Sequence, residues 1–183
     1  DILGTPSQLP FFISPTAASR LFHPRQGERA VATAAYKAGC LYSASTLASV
    51  SVETLHGLCP TPKWFQVYVW KDRALVEKVL DRVRNSGFTT LVLTADTPVA
   101  GNRERDPRNG FSIPPKITPQ TVMQMLGRPS YLFDIATTPQ IGPANFPQSG
   151  PAQDIANFIN SQFDPSVTWE YAKWLKQVWK GPL

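Results

Sequence analysis

The chain has 183 residues, 42% of them hydrophobic and 17% charged, with a formal net charge of +5. That is enough for one domain with a sizeable core, and no apolar run approaches the roughly 18 residues of a membrane-spanning helix. The positive charge is scattered over pairs such as Arg25 and Arg29, Lys71 and Arg73, Arg103 and Arg105, and Lys176 and Lys180. No basic block reads as a nucleic-acid surface, and no nucleic-acid partner is expected. Cys40 and Cys59 have neither zinc nor redox spacing and read as reduced thiols of a cytoplasmic protein. The opening Asp-Ile-Leu-Gly has no signal-peptide features and starts abruptly, as a piece of a longer chain does.

In chain order, Leu9 to Ser14 is short and apolar and reads as a strand. Gly27 to Ala38 is Ala-rich and predicts a helix stopped by Gly39. Cys40 to Ser43 predicts a second strand, and Ser51-Val-Glu-Thr-Leu55 opens a short helix with Ser51 or Ser49 as cap. Trp64 to Trp70, dense in aromatic and β-branched residues, predicts a third strand. In the next helix Leu75, Val76, Val79, Leu80 and Val83 share a face, and Gly87 ends it. Thr89 to Thr94 is nearly continuously apolar, as buried parallel strands are.

From 111 to 165 the texture changes, with nine of the chain's 18 prolines. This reads as a long irregular insertion, with short helices at Pro119 to Leu126 and Gln153 to Phe163. Thr168 caps a closing helix, Trp169 to Lys180, with Tyr171, Trp174, Leu175 and Val178 inward and the tryptophans at 169, 174 and 179 used for packing. The next strand is expected at Gly181-Pro182-Leu183.

The β-α alternation predicts an α/β fold with a parallel sheet, either doubly wound or a (β/α)8 barrel. No G-x-G-x-x-G follows a strand, against a dinucleotide site. Ligands of such folds bind at the carboxyl ends of the strands. Those ends carry Pro15, Thr16 and Ala17, then Ser45 and Leu47, Gln66 and Tyr68, and Thr94 and Asp96. Small, hydroxyl and amide groups of this kind suit a flat heterocycle. Asp96, just beyond an apolar strand, needs a partner or caps a turn. Glu104, Arg105 and Asp106 read as a solvated loop, and His23 and His56 as structural or exposed.

These residues fall in motifs: Pro15-Thr-Ala-Ala, His23-Pro-x-x-Gly27-Glu28, Ser45-Thr-Leu-Ala-Ser49, Trp64-Phe-Gln-Val-Tyr-Val-x-Lys-Asp-Arg73, and Leu93-Thr-Ala-Asp-Thr-Pro-x-x-Gly-Asn-Arg-Glu-Arg-Asp106. In this order they resemble the FMN-dependent 2-hydroxy-acid dehydrogenase/oxidase family across essentially the whole chain. The segment Phe163-Asp-Pro-Ser-Val-Thr-Trp169 resembles its bacterial L-lactate dehydrogenase branch.

The resemblance implies a (β/α)8 barrel, of which this chain would be the first four units and the long loop after strand 4. It implies an enzyme that oxidises an L-2-hydroxy acid such as L-lactate, with FMN as cofactor. Pro15, Thr16 and Ala17 would lie near the flavin N5. Ser45, Gln66 and Thr94 would hydrogen-bond its ring. Tyr68 would meet the substrate hydroxyl or carboxylate, Asp96 would pair with a catalytic histidine, and Arg103 would sit by the substrate carboxylate. Leu47 stands where some relatives carry Trp and leaves room for a substrate side chain.

The family's flavin-contacting lysine, His-Gly-x-Arg segment and phosphate-binding loops would all lie past Leu183. An active-site tyrosine would lie before residue 1, so the isolated chain is expected to lack turnover. Electrons would pass to a quinone or another acceptor, or to O₂ in an oxidase; a non-catalytic partial barrel is the third reading. The 118–160 segment would be either a mobile loop or a peripheral membrane contact, and the whole enzyme would be a homo-oligomer.

Overall fold

A computed structural model describes residues 1–96, 104–110, 118–139, 141–146, 158 and 161–183. Its strands are β1 (Phe12–Ile13), β2 (Leu41–Ser45), β3 (Lys63–Tyr68) and β4 (Phe88–Thr94). They form one four-stranded parallel sheet in chain order, β1-β2-β3-β4. A doubly wound sheet reverses its strand order at a switch point, whereas a barrel lays each strand beside the last. The order here is that of a barrel arc. Beyond the last helix, the Pro182 carbonyl accepts a bond from the Leu91 N–H at 3.1 Å, so the chain returns alongside β4.

The main helices are α1 (Glu28–Lys37), α2 (Val52–Leu58) and α3 (Arg73–Asn85). Two short local bonds start α2 and α3. Ser51 Oγ accepts from the Thr54 N–H and Asp72 Oδ1 from the Leu75 N–H, which satisfies donors that a helix start leaves unpaired. Gly39 at φ +62° and Gly87 at φ +70° turn the chain from helix to strand. One sheet face is apolar. Phe65 and Val67 line a small cavity with Val76, Val79 and Leu80 of α3, and all five are buried. The alternate residues Ser43, Ser45, Gln66 and Thr90 are buried on the other face, as a period of two requires.

Several boundaries differ from the expectation. β1 is two residues long because Pro10 has no N–H to give and Gln8 bonds to the Gly39 carbonyl instead. β2 runs on to Ser45. β3 stops at Tyr68, where Trp70 leaves the sheet for an antiparallel bridge to Phe163. Flanking bonds run from the Lys71 N–H to the Gln162 carbonyl and from the Asp164 N–H to the Val69 carbonyl. A short helix α4 (Arg105–Arg108) follows β4.

Within the stretch read as an insertion, α5 (Pro119–Leu126) forms as expected. A further helix, α6 (Pro129–Thr137), was not expected; it starts with Pro in its first turn, where a missing N–H costs nothing. The helix expected at Gln153 to Phe163 lies mostly outside the described residues.

The closing helix, α7, is Trp169–Trp179. Thr168 takes the cap position but its side chain makes no cap bond. Tyr171, Leu175 and Trp179 are its buried residues, and Trp174 and Val178 pack partly against the core. Trp169 does not pack: it is 84% exposed.

Candidate functional site

The strand ends converge on one hydrogen-bonded relay across β2, β3 and β4. Register sets Ser45 beside Gln66, and Tyr68 beside Thr94. Ser45 Oγ donates to Gln66 Oε1 at 3.1 Å, and the Thr46 N–H donates to the same oxygen at 3.2 Å. A backbone N–H can only donate, so this contact fixes which end of the amide is oxygen. Gln66 Nε2 therefore faces β4 and donates to Thr94 Oγ1 at 2.7 Å. The Thr46 hydroxyl donates to the Gln66 carbonyl, and the Leu47 N–H donates to Ser45 Oγ.

Proton accounting shows what the relay has left over. Ser45 spends its only proton on Gln66, and Gln66 Oε1 already accepts two bonds. Thr94 accepts from Gln66, so its own hydroxyl proton is left to donate. Gln66 Nε2 keeps one of its two protons. The relay thus presents donors at the carboxyl edge of the sheet. Gln66 and Ser45 are buried and Thr94 is half-buried.

The loop after β1 joins this edge. The Ala18 N–H donates to the Leu47 carbonyl at 3.1 Å, and Ala18 itself sits at φ +52°, a left-handed conformation that costs a non-glycine residue about 1 kcal/mol or more. Pro15 is half-buried, Thr16 and Ala17 are exposed beside it, and Leu47 is half-buried. Thr16 Oγ1 lies 3.2 Å from Ser19 Oγ.

Tyr68 is half-buried, with the Phe163 ring edge-on at 5.2 Å between centroids. Asp96 is exposed two residues past β4. Arg103 lies outside the described residues. His23 and His56 are both exposed, and His56 stands at the far end of the sheet, where Lys63 Nζ comes within 3.4 Å of its Nδ1.

Three contributors had no assigned role in the sequence reading. Thr46 orients the Gln66 amide from its backbone. Phe163 packs on Tyr68 from the distant end of the 111–165 stretch. Glu28, 1% exposed, ties both top loops together. Its carboxylate accepts from the Ser19 N–H, the Ser49 N–H and the Ser49 hydroxyl at 3.0, 2.9 and 2.7 Å. The signal for Glu28 was a carboxylate in a helix first turn, but that pattern does not reveal burial. No group of three or more potential metal ligands occurs among the described residues.

Comparison with known proteins bears on the family and the fold. The chain is 43% identical over its whole length to a Mycobacterium tuberculosis protein that carries L-lactate dehydrogenase as a provisional name. It is 32% identical, again over its whole length, to the L-lactate dehydrogenase of Vibrio parahaemolyticus. It spans 44% and 49% of those two relatives. Among solved structures, the monotopic membrane protein (S)-mandelate dehydrogenase superposes with a TM-score of 0.89 at 32% identity, covering 98% of this chain and 48% of that one. A mandelate oxidase superposes at 0.71 and 31%, covering 97% and 42%. The model of one family, FMN-dependent dehydrogenase, matches residues 1–183. With that match over every residue, and with the strand order of a barrel arc, the chain belongs to the FMN-dependent dehydrogenase family.

Proposed function

We propose that this chain supplies the flavin-ring face of an enzyme that oxidises an L-2-hydroxy acid, L-lactate foremost, to the 2-oxo acid. The observation that carries the reading is the Ser45–Gln66–Thr94 relay with its outward donors. FMN fits that donor set, because the pyrimidine edge of its ring offers carbonyl oxygens and ring nitrogen to an N–H and an O–H. Bound there, FMN supplies a two-electron acceptor. Gln66 and Thr94 donate to the ring, and Ser45 holds the Gln66 amide in the donating orientation. Pro15, Thr16 and Ala17 offer a small, partly exposed backbone that lets a flat group approach closely.

Tyr68 donates its hydroxyl to the substrate's oxygen atoms, and Phe163 limits the swing of its ring. Arg103 pairs with the substrate carboxylate. Leu47, half-buried beside the β1 loop, leaves space for a small substrate side chain. Asp96 holds a protonated base by charge and so raises its pKa. Neither His23 nor His56 serves as that base, since both are exposed and His56 is at the opposite end of the sheet. The base, the phosphate grip and turnover therefore need residues beyond these 183.

The α5–α6 pair supports a peripheral membrane contact: Val122, Met123, Leu126 and Phe133 are 41%, 76%, 65% and 62% exposed. No helix among the described residues is long and apolar enough to cross a membrane. The likeness to a monotopic membrane dehydrogenase supports the same reading. The proposal adds a membrane quinone as electron acceptor and a homo-oligomeric whole enzyme.

The test is L-lactate-dependent reduction of a quinone or dye by the whole protein. Tyr68→Phe is expected to lower kcat/KM about a hundredfold, as loss of one aimed donor does. Thr94→Val is expected to weaken FMN binding about tenfold. Peroxide formation in place of dye reduction assigns an oxidase instead. Turnover by the 183 residues alone, or full activity in Tyr68→Phe, overturns the reading.

A further inference from the structure

Away from the relay, an open cleft of about 520 Å³ is lined by Arg20, Arg25, Arg29, Thr137, Thr138 and Pro139. It lies between the loop after β1, the start of α1 and the end of α6. Three guanidinium groups share one cavity, and their partners are unequal. Arg25 pairs with Asp134 at 2.5 Å and lies over the Phe133 ring at 5.4 Å. Arg20 is held by two carbonyls, Nε to Pro24 at 2.9 Å and an Nη to Pro139 at 3.2 Å, and meets no carboxylate among the described residues. Arg29 is exposed and makes no side-chain hydrogen bond or ion pair among the described residues.

Glu28, which directly precedes Arg29, is buried and accepts from Ser19 and Ser49 rather than from an arginine side chain. Among the described side chains, Arg25 alone of the three is paired with a carboxylate. The cleft walls are also tied together: the Tyr131 hydroxyl donates to the Leu21 carbonyl at 2.8 Å, and Arg20 bonds to Pro139. Fixed carbonyl contacts hold the Arg20 guanidinium in place before any ligand arrives, and pre-organised forks of this kind match phosphate oxygens.

We propose that Arg20, Arg25 and Arg29 form a binding site for a phosphate-class oxyanion, separate from the flavin-ring face. Arg20 and Arg29 supply the net charge, and Arg25 a donor beside its Asp134 pair. A phosphate of this class comes either free in solution or as the phosphodiester of an anionic lipid. The second source is favoured by Phe22, 83% exposed in the same loop, and Phe133, 62% exposed on the opposite wall, which flank the arginines with apolar groups. The cleft is open to water, so binding is salt-sensitive.

The test uses the full chain in chloride buffer of low ionic strength. One arm titrates inorganic phosphate by calorimetry. The other measures co-sedimentation with vesicles of phosphatidylcholine alone and of phosphatidylcholine mixed with phosphatidylglycerol. Arg29→Gln removes no hydrogen bond or ion pair among the described residues, so its melting temperature should match the parent; its phosphate affinity, or its preference for the anionic vesicles, should fall about tenfold. Arg29→Lys should retain part of that binding. Phosphate binding without vesicle preference assigns the free anion, and vesicle preference without phosphate binding assigns the lipid; both support the site. A parent that shows neither, or an Arg29→Gln chain equal to the parent in both arms, overturns it.

Discussion

Glu28 joins the two loops beside the site through one buried carboxylate. Its carboxylate is 1% exposed and collects three hydrogen bonds from two loops. Ser49 Oγ in turn accepts from the Arg20 N–H. Gly27, just before it, has φ +48°, and a Cβ there would meet Arg20 Cγ at 2.5 Å. The loops after β1 and β2 are thus held as a unit, and that unit presents Thr16, Ala17 and Leu47. Glu28→Ala should cost about 3 kcal/mol in urea unfolding, since charged hydrogen bonds are worth roughly 1.5–3 kcal/mol and the buried Ser49 N–H and half-buried Ser19 N–H are orphaned. Glu28→Gln should cost about half that, because its carbonyl still serves the two N–H groups. A loss below about 1 kcal/mol in Glu28→Ala would show that water replaces the carboxylate at no cost.

The relay residues were legible before the structure. Ser45, Gln66 and Thr94 stand at strand ends, and period two settles which face they take. Glu28 and Thr46 were not, because their roles depend on partners some 20 residues away that no local pattern exposes.

At the scale of elements, the junction of α2, β3 and β4 contains a charge that meets no counter-charge among the described residues. Lys63 opens β3 fully buried. Its ammonium lies 3.3 Å from the Thr61 carbonyl, 3.4 Å from His56 Nδ1 and 4.8 Å from the Phe88 ring centroid. Burial lowers its pKa from the ordinary 10.5. Between the lowered folded value and 10.5 the unfolded chain binds more protons, so stability rises with pH through that window. Below the window the cost of burying the charge is felt in full; above it both states are neutral and the cost is gone. Lys63→Met should therefore stabilise the chain by about 1 kcal/mol at neutral pH, and the gain should shrink as pH approaches 10.5. Denaturant midpoints at neutral and alkaline pH check this, and a gain unchanged with pH would refute the electrostatic cause.

Element legibility follows the same physics. The helix α3 was plain because its apolar stripe, its Asp72 cap and Gly87 agree. The strand β1 was overextended because apolar character does not reveal where Pro10 breaks the ladder. The helix α6 was missed because Pro129 reads as a breaker, although it sits in the first turn, where it fits. Trp169 was assigned to packing on hydrophobicity alone, although the helix turns it into solvent.

At the scale of the whole molecule, repeated β-α units admitted two architectures, and sequential strand order chose the barrel arc. Order could not be read from the sequence, because it depends on which side each crossover returns, not on any residue. The arc has consequences of its own. The strand β1 pairs only with β2 among the described strands, so its other edge is unpaired. Leu3, Phe11 and Phe12 near that edge are 57%, 52% and 40% exposed. Within the sheet, Ser43 Oγ and Thr90 Oγ1 are buried without a partner among the described residues. The β4 edge is better covered, since Leu91 bonds to Pro182. An unpaired edge flanked by exposed aromatics is a template for association. The 183-residue chain should therefore dimerise or form larger species through the β1 edge as concentration rises, measurable by sedimentation velocity. A lysine at this edge opposes pairing by its charge and its need for water, and removing one buried Phe forfeits about 1.5–3 kcal/mol of contact. Phe11→Lys should weaken the association about tenfold or more. A parent that stays monomeric at every concentration would mean that the N-terminal segment already shields the edge. An association untouched by Phe11→Lys would move the contact elsewhere, with the exposed α5–α6 face as the next surface to change.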